Sequence, residues 1–70
     1  MMPAISQLRV VPAPSKGWRI EGPTGVRGVC ATASDAEALA ERLVRGNGGG
    51  EILIYDEKRR LRAVKRLPGA

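Results

Sequence analysis

Apolar and polar residues alternate with a period of two along several short stretches of the chain, which is typical of half-buried β-strands. Residues 7–11 and 18–21 predict two strands of a hairpin, separated by a proline-rich turn. Residues 22–28, which are rich in glycine, predict a loop or a bulged continuation of the second strand. Residues 52–55 are apolar on both faces and predict a central strand, and residues 61–67 predict the last strand.

Between the second and third of these strands the period changes to that of a helix. The apolar positions fall at i, i+3, i+4, i+7 and i+8, which places them in one stripe: Ala36, Leu39, Ala40, Leu43 and Val44. Ser34 and Glu37 have the spacing of a capping box at the helix start. Glu41 and Arg45 predict an i,i+4 ion pair on the opposite side. Residues 46–50 combine Gly and Asn, which end a helix.

The element order β-β-α-β-β predicts an α+β fold, a mostly antiparallel four-stranded sheet with one helix packed on one face. Residues 1–70 form a single small domain with an ordered core at about residues 6–67. The expected helix-facing set is Leu8, Val10, Trp18, Ile20, Ile52, Ile54, Leu61 and Ala63. The opposite face is then expected to carry Arg9, Val11, Arg19, Glu21, Leu53, Tyr55, Arg62, Val64 and Arg66. A slip of one residue would exchange the two sets, so the pattern leaves open which face the helix covers.

The composition argues against an enzyme. The chain has no His and one Cys, so it offers no imidazole acid, base or metal ligand, and no Cys-rich metal site. The carboxylates are explained by the helix start and by a polar turn at residues 56–59. We therefore expect no catalytic residues, no metal, no cofactor and no small-molecule substrate.

The net charge of +5 is concentrated at one end of the chain. Residues 58–70 contain six basic side chains and no acidic one, whereas the rest of the chain is close to neutral. Such asymmetry favours a polyanionic partner. The alternative is that the cations keep the edge of a sheet soluble, since Lys and Arg on an edge strand discourage aggregation.

The sequence predicts neither a secretory signal nor a membrane-spanning segment. The first five residues lack a charged region followed by an apolar run, and no apolar stretch is long enough to cross a bilayer. The single Cys30 lies in a small apolar run, fits a reducing compartment and is expected to be a buried small side chain. These features predict a cytoplasmic protein.

Several short motifs resemble those of a known family. An apolar strand ends in Val10-Val11-Pro12 and is followed by residues 17–20, Gly-Trp-Arg-Ile. Thr32 then precedes a helix with Ala36 and Ala40, and a Gly-rich stop leads into residues 51–55, Glu-Ile-Leu-Ile-Tyr. In these motifs the chain resembles the small bacterial and phage family catalogued as domain of unknown function 2188. The resemblance spans about residues 8–67 and implies the β-β-α-β-β order but no chemistry. The family usually has a Gly in the last hairpin, where this chain has Asp56-Glu57-Lys58-Arg59.

The predicted function is that of a small, non-enzymatic nucleic-acid-binding module, which contacts the phosphate backbone of DNA or RNA with weak sequence specificity and is expected to form a homo-oligomer. Arg60, Arg62 and Arg66 are expected to share one face of the last strand. The full set of candidate binding residues is Arg9, Arg19, Tyr55, Lys58, Arg59, Arg60, Arg62, Lys65 and Arg66. The alternative function is a structural or protein-interaction module that homo-oligomerises through its uncovered sheet face or an edge strand.

Overall fold

The computed structural model describes residues 6–69 and shows one helix packed against a five-stranded sheet. In chain order the elements are β1 Ser6–Pro12, β2 Trp18–Gly22, β3 Gly25–Cys30, α1 Ala33–Gly46, β4 Gly49–Tyr55 and β5 Leu61–Pro68. The strands lie in the order β3-β2-β1-β4-β5. The predicted α+β class is confirmed.

Three of the four strand pairs are antiparallel, and the central pair of β1 and β4 is parallel. The parallel pair follows from the position of α1 in the chain. The helix carries the chain back along the sheet, so β4 starts at the same end as β1 and pairs beside it. As a result, the loop after β1 and the turn after β4 lie at the same end of the sheet, together with the start of α1. We call this end the turn end.

The additional strand is β3, which the glycine-rich sequence predicted as a loop or a bulged continuation of β2. It pairs with β2 through a bulge, because Ile20 lies opposite Gly28 while Glu21 lies opposite Val26. A Cβ atom at Gly28 would come 2.9 Å from the Leu39 side chain. The glycine that weakens the strand signal therefore makes room for the helix.

The core lies between α1 and one face of the sheet, as predicted. Its fully buried members are Leu8, Val10, Ile20, Ala36, Ala40, Val44, Ile52 and Ile54, and Trp18, Cys30, Leu39, Leu43, Ala63 and Leu67 pack around them. Leu61 was predicted to face the helix, and this is wrong: its side chain is 54% exposed. A bulge causes the difference, because Leu61 pairs with Tyr55 while Ala63 pairs with Ile54, which leaves Arg62 as an extra residue.

The helix begins and ends close to the predicted positions but with different contacts at its start. Thr32, not Ser34, is the N-cap, and its Oγ1 accepts a hydrogen bond from the Asp35 amide at 3.1 Å. Asn47 is the C-cap, and its amide donates to the Leu43 and Val44 carbonyls. Since Thr32 caps the helix, Glu37 is not needed for a capping box with Ser34 and its carboxylate reaches the last strand.

No helix within residues 6–69 is both long and apolar enough to span a bilayer. The prediction that the chain has no signal peptide concerned residues 1–5, which lie outside the described range.

Candidate nucleic-acid interface

The turn between β4 and β5 is held by the carboxylate of Asp56. Its Oδ1 accepts hydrogen bonds from the Lys58 amide at 2.8 Å and from the Arg60 amide at 2.9 Å. The Arg59 amide donates to the Asp56 carbonyl at 2.9 Å, which closes the turn. These bonds, the one from the Arg60 amide first, lower the pKa of Asp56 from its ordinary value. The turn therefore presents three consecutive cations from a fixed backbone.

Arg59 has a backbone conformation that normally favours glycine. Its φ is +61°, and it is the position in this hairpin where a left-handed residue follows the tight turn. The Arg59 guanidinium donates to the Pro12 carbonyl at 3.0 Å, which ties the turn to the end of β1. The missing glycine of the last hairpin is thus replaced by an arginine that accepts backbone strain and makes a contact between strands.

We expect Arg59→Gly to be more stable than Arg59→Ala by about 1 kcal/mol, because only glycine relieves the left-handed strain. Both variants lose the hydrogen bond to the Pro12 carbonyl, so the difference between their stabilities reports the strain of the backbone conformation at residue 59. Urea denaturation of the two variants measures the difference. Equal stabilities, or a more stable Arg59→Ala, would show that the turn is not strained at Arg59.

A groove at the turn end is lined by both aromatic and basic residues. It has a volume of about 380 Å³ and is lined by Trp18, Ala33, Tyr55, Asp56, Glu57, Lys58, Arg60 and Arg62. Trp18 and Tyr55 are the only Trp and Tyr in a chain that has no Phe. Both aromatic residues of the protein therefore line the same groove as three cations.

The backbone and the ion pairs position the residues of this groove. Gly17, with φ +82°, sets the entry into β2 immediately before Trp18, and a Cβ atom there would lie 2.7 Å from the Cys30 carbonyl oxygen. Arg60 is paired with Asp56, with 3.4 Å between Nε and Oδ2. The bulge turns Arg62 toward the helix, where its guanidinium lies 2.9 Å from the Glu37 carboxylate.

The other predicted cations of β5 are neutralised outside the groove. Lys65 bridges to the helix, with 2.8 Å from its Nζ to Glu41 and 4.0 Å to Glu37. Arg66 pairs with Glu51 on β4 at 2.8 Å. The prediction that Arg60, Arg62 and Arg66 share one face is therefore wrong: Arg60 lies in the turn, Arg62 reaches the helix and Arg66 reaches β4. The predicted pair of Glu41 with Arg45 gives way to a hydrogen bond between Glu41 and Lys65.

The predicted residues on β1 and β2 also lie apart from the groove. Arg19 contacts Glu21 at 2.7 Å, and Arg9 lies 3.9 Å from the same carboxylate. Of the nine candidates, the groove collects Tyr55, Lys58, Arg60 and Arg62, and Arg59 lies beside them in the turn. Within the described residues, neither Lys58 nor Arg59 is within ion-pair distance of a carboxylate.

Sequence reasoning missed Trp18 as a functional residue, because it predicted this side chain to pack beneath the helix. Trp18 does pack against the core, yet it is only half-buried and also lines the groove. The sequence did contain a signal: Trp18 directly follows the glycine that ends the proline-rich turn, and it is one of only two aromatic residues in the chain.

The ion pairs between β5 and its neighbours make stability depend on pH. The hydrogen bond from Lys65 lowers the pKa of Glu41, and the one from Gln7, followed by the charge of Arg66, lowers the pKa of Glu51. A carboxylate with a lowered pKa stabilises the fold above its ordinary value near 4.5, and this contribution is lost as the pH falls through the lowered value. Glu41 also raises the pKa of Lys65, so the same pair weakens as the pH rises past 10.5.

We therefore expect the free energy of unfolding to be constant between these limits and to fall below about pH 4.5. Urea denaturation across the acid range checks this, with Glu41→Gln as the control whose acid dependence should be smaller. Identical acid profiles for the two proteins would contradict a stabilising pair of Glu41 with Lys65.

The family model described as an uncharacterized protein conserved in bacteria (DUF2188) matches residues 8–66. The chain therefore belongs to this family, which confirms the resemblance in its motifs. No curated protein and no solved structure matches the chain.

Proposed function

We propose that this protein is a non-enzymatic module that binds single-stranded nucleic acid in the groove at the turn end. The observation that carries the proposal is that both aromatic residues of the chain line this groove together with Lys58, Arg60 and Arg62. Modules of this kind combine a face on which a base can stack with cations that follow the phosphate backbone.

The dimensions and energies are suitable for a short segment of one strand. Base–aromatic stacking contributes about 1–3 kcal/mol per base. A groove of about 380 Å³ is at the small end of the range for ligand sites, which suits one or two nucleotides. Because a stacking face and a charge do not distinguish bases well, we expect weak sequence preference.

The intramolecular ion pairs are compatible with this function. Arg60 and Arg62 are paired with carboxylates, but their side chains remain 71% and 54% exposed. Exposed pairs of this kind contribute only about 0–1 kcal/mol, so a phosphate can compete for either guanidinium. Lys58 needs no such exchange. In this proposal Lys58, Arg60 and Arg62 contact phosphate directly. Lys65 and Arg66, which lie on β5 outside the groove, contribute net charge and keep the edge of the sheet soluble.

The biological setting follows from the ligand class. A nucleic-acid-binding module with a free cysteine belongs in the cytoplasm, where thiols stay reduced, and we propose that location.

The test is a fluorescence titration, because the only Trp lines the groove. Single-stranded DNA and RNA oligonucleotides should change the Trp18 emission at low salt, and a duplex of the same sequence should bind more weakly since its bases are not available for stacking. An unchanged emission together with no gel shift at low salt would overturn the proposal. Tighter binding to the duplex would contradict binding in the groove. It would indicate instead that the protein contacts the phosphate backbone through cations outside the groove, such as Lys65 and Arg66.

A further inference from the structure

The face of the sheet opposite α1 carries every large apolar side chain that is strongly exposed in the described part of the chain. We call it the open face. These side chains are Val26, Val29, Leu61 and Val64, at 53%, 68%, 54% and 49% exposure. Residues that oppose each other in paired strands share a face. Val29 pairs with Arg19 and Val26 with Glu21, next to the buried Ile20 but pointing the other way. Val64 likewise pairs with Leu53, between the buried Ile52 and Ile54.

The exposed side chains form two stripes at opposite edges of the open face. Val26 and Val29 form the first stripe on β3, and Leu61 and Val64 form the second on β5. Between them, β2 and β1 carry an ion-pair cluster in which Arg9 and Arg19 both contact Glu21. The same central region carries the buried Val11 on β1 and the half-buried Leu53 and Tyr55 on β4. From edge to edge the face therefore has an exposed apolar stripe, a mixed centre that contains the ion-pair cluster, and a second exposed apolar stripe.

We propose that the open face packs against the open face of a second copy of this chain, about a two-fold axis that runs along β1. Such a rotation reverses the order of the strands, so the β3 stripe of one copy meets the β5 stripe of the other. Since β1 is the middle strand, both contacts form at once. Val26 and Val64 are in the same row across the sheet, because Glu21 and Leu53 are both register partners of Arg9. The rotation places Val26 opposite Val64 of the second copy.

The ion-pair cluster keeps its own ion pairs under this rotation. Arg9 lies on β1, at the axis, so the Arg9 side chains of the two copies meet there. Each copy has its Glu21 on β2, and the rotation places the two Glu21 carboxylates on opposite sides of the two Arg9 guanidinium groups. Each Arg19 retains its contact of 2.7 Å with Glu21 of its own chain.

The size of the face agrees with a stable dimer. Five strands at a spacing of about 4.8 Å, each about seven residues long, cover roughly 500 Å² of flat area, and side chains raise the accessible area toward the roughly 800 Å² per partner of a standard interface. A domain of this length buries only about 60% of its unfolded surface, so association through this face would add substantially to its stability. The groove lies at the turn end, and of its residues Tyr55 shares the open face, because it is the register partner of Leu61.

The test is sedimentation equilibrium of the full chain from micromolar to millimolar concentration. The wild-type chain should sediment with twice the chain mass. Val26→Lys and Val64→Glu should each sediment as monomers. In a dimer of either variant, the new charge of each copy would be buried against an apolar valine of the other copy. An equimolar mixture of the two variants should recover the dimer, since the new charges of opposite sign face each other across the interface. Arg42→Glu, on the exposed side of the helix, is the control and should leave the dimer unchanged.

Three results would overturn the proposal: a wild-type chain that stays monomeric at millimolar concentration, dimers that persist in both single variants, or a mixture that fails to associate although each variant is folded by circular dichroism. Both substitutions lie at positions that are already about half exposed, so the fold should tolerate them. The readout contains no nucleic acid, so its outcome is independent of the groove.

Discussion

Changing Lys58, Arg60 and Arg62 together to alanine should weaken binding of single-stranded nucleic acid by about 100-fold at low salt. Each cation that contacts a phosphate releases condensed counterions, and three such contacts account for an effect of about this size near 50 mM salt. The loss should be similar for oligonucleotides of different sequence, because phosphate contacts carry no sequence information. The measurement is the Trp18 fluorescence titration, or a gel shift if the variant alters the emission.

The chain offers a control with the same change in net charge. Arg27, Arg42 and Arg45 are exposed, lie away from the groove and, within the described residues, have no carboxylate within ion-pair distance. Their triple alanine variant has the same net charge as the groove variant. If only the overall charge attracts the nucleic acid, both variants should lose equal affinity, and this outcome would contradict a local site. The groove proposal requires the control to bind within a few-fold of the wild-type chain.

Ile52→Ala should destabilise the protein by about 2–5 kcal/mol, which approaches or exceeds the whole stability of a domain of this size. Ile52 is fully buried on the inner strand β4 and packs in the cluster under the helix. The truncation leaves a cavity that a small core cannot close. We expect the variant to be largely unfolded at room temperature by circular dichroism, or to unfold at much lower urea.

Leu61→Ala is the matched control, because the apolar pattern predicts Leu61 for the same core and the structure exposes it. At a concentration where the chain is monomeric, so that the proposed contact between open faces does not contribute, removing this half-exposed side chain should cost less than about 1 kcal/mol. A loss at Leu61 comparable to that at Ile52 would mean that the bulge in β5 is misplaced and that Leu61 faces the helix after all.

The sequence predicts those parts of the fold that repeat a regular period. The stripe from Ala36 to Val44 predicts the helix and its buried side, and the alternation in β1 and β2 predicts the two sets of residues of which one lies beneath it. The pattern fails at the two bulges. Gly28 has no side chain to contribute to the alternation, so β3 has no period, and the extra residue Arg62 shifts the faces of β5.

The candidate site is less predictable, because it depends on which charges meet across the fold. The run from Lys58 to Arg66 is visible in the sequence, but its partners Glu37 and Glu41 come from the helix and Glu51 comes from the preceding strand. Only the register of β5 and the position of α1 decide that Lys65 and Arg66 are paired outside the groove. The convergence of Trp18 with Tyr55 likewise follows from the parallel pairing of β1 and β4, which places both at the same end of the sheet.

The most direct test of the groove is the salt dependence of single-strand binding. With three phosphate contacts, a plot of log K against log salt should have a slope of about −2 for the wild-type chain, and close to zero for the variant of Lys58, Arg60 and Arg62. Six contacts on a duplex would instead give about −5. A wild-type slope near zero, or a slope of about −2 that persists in the groove variant, would contradict the proposal that these three cations hold the nucleic acid.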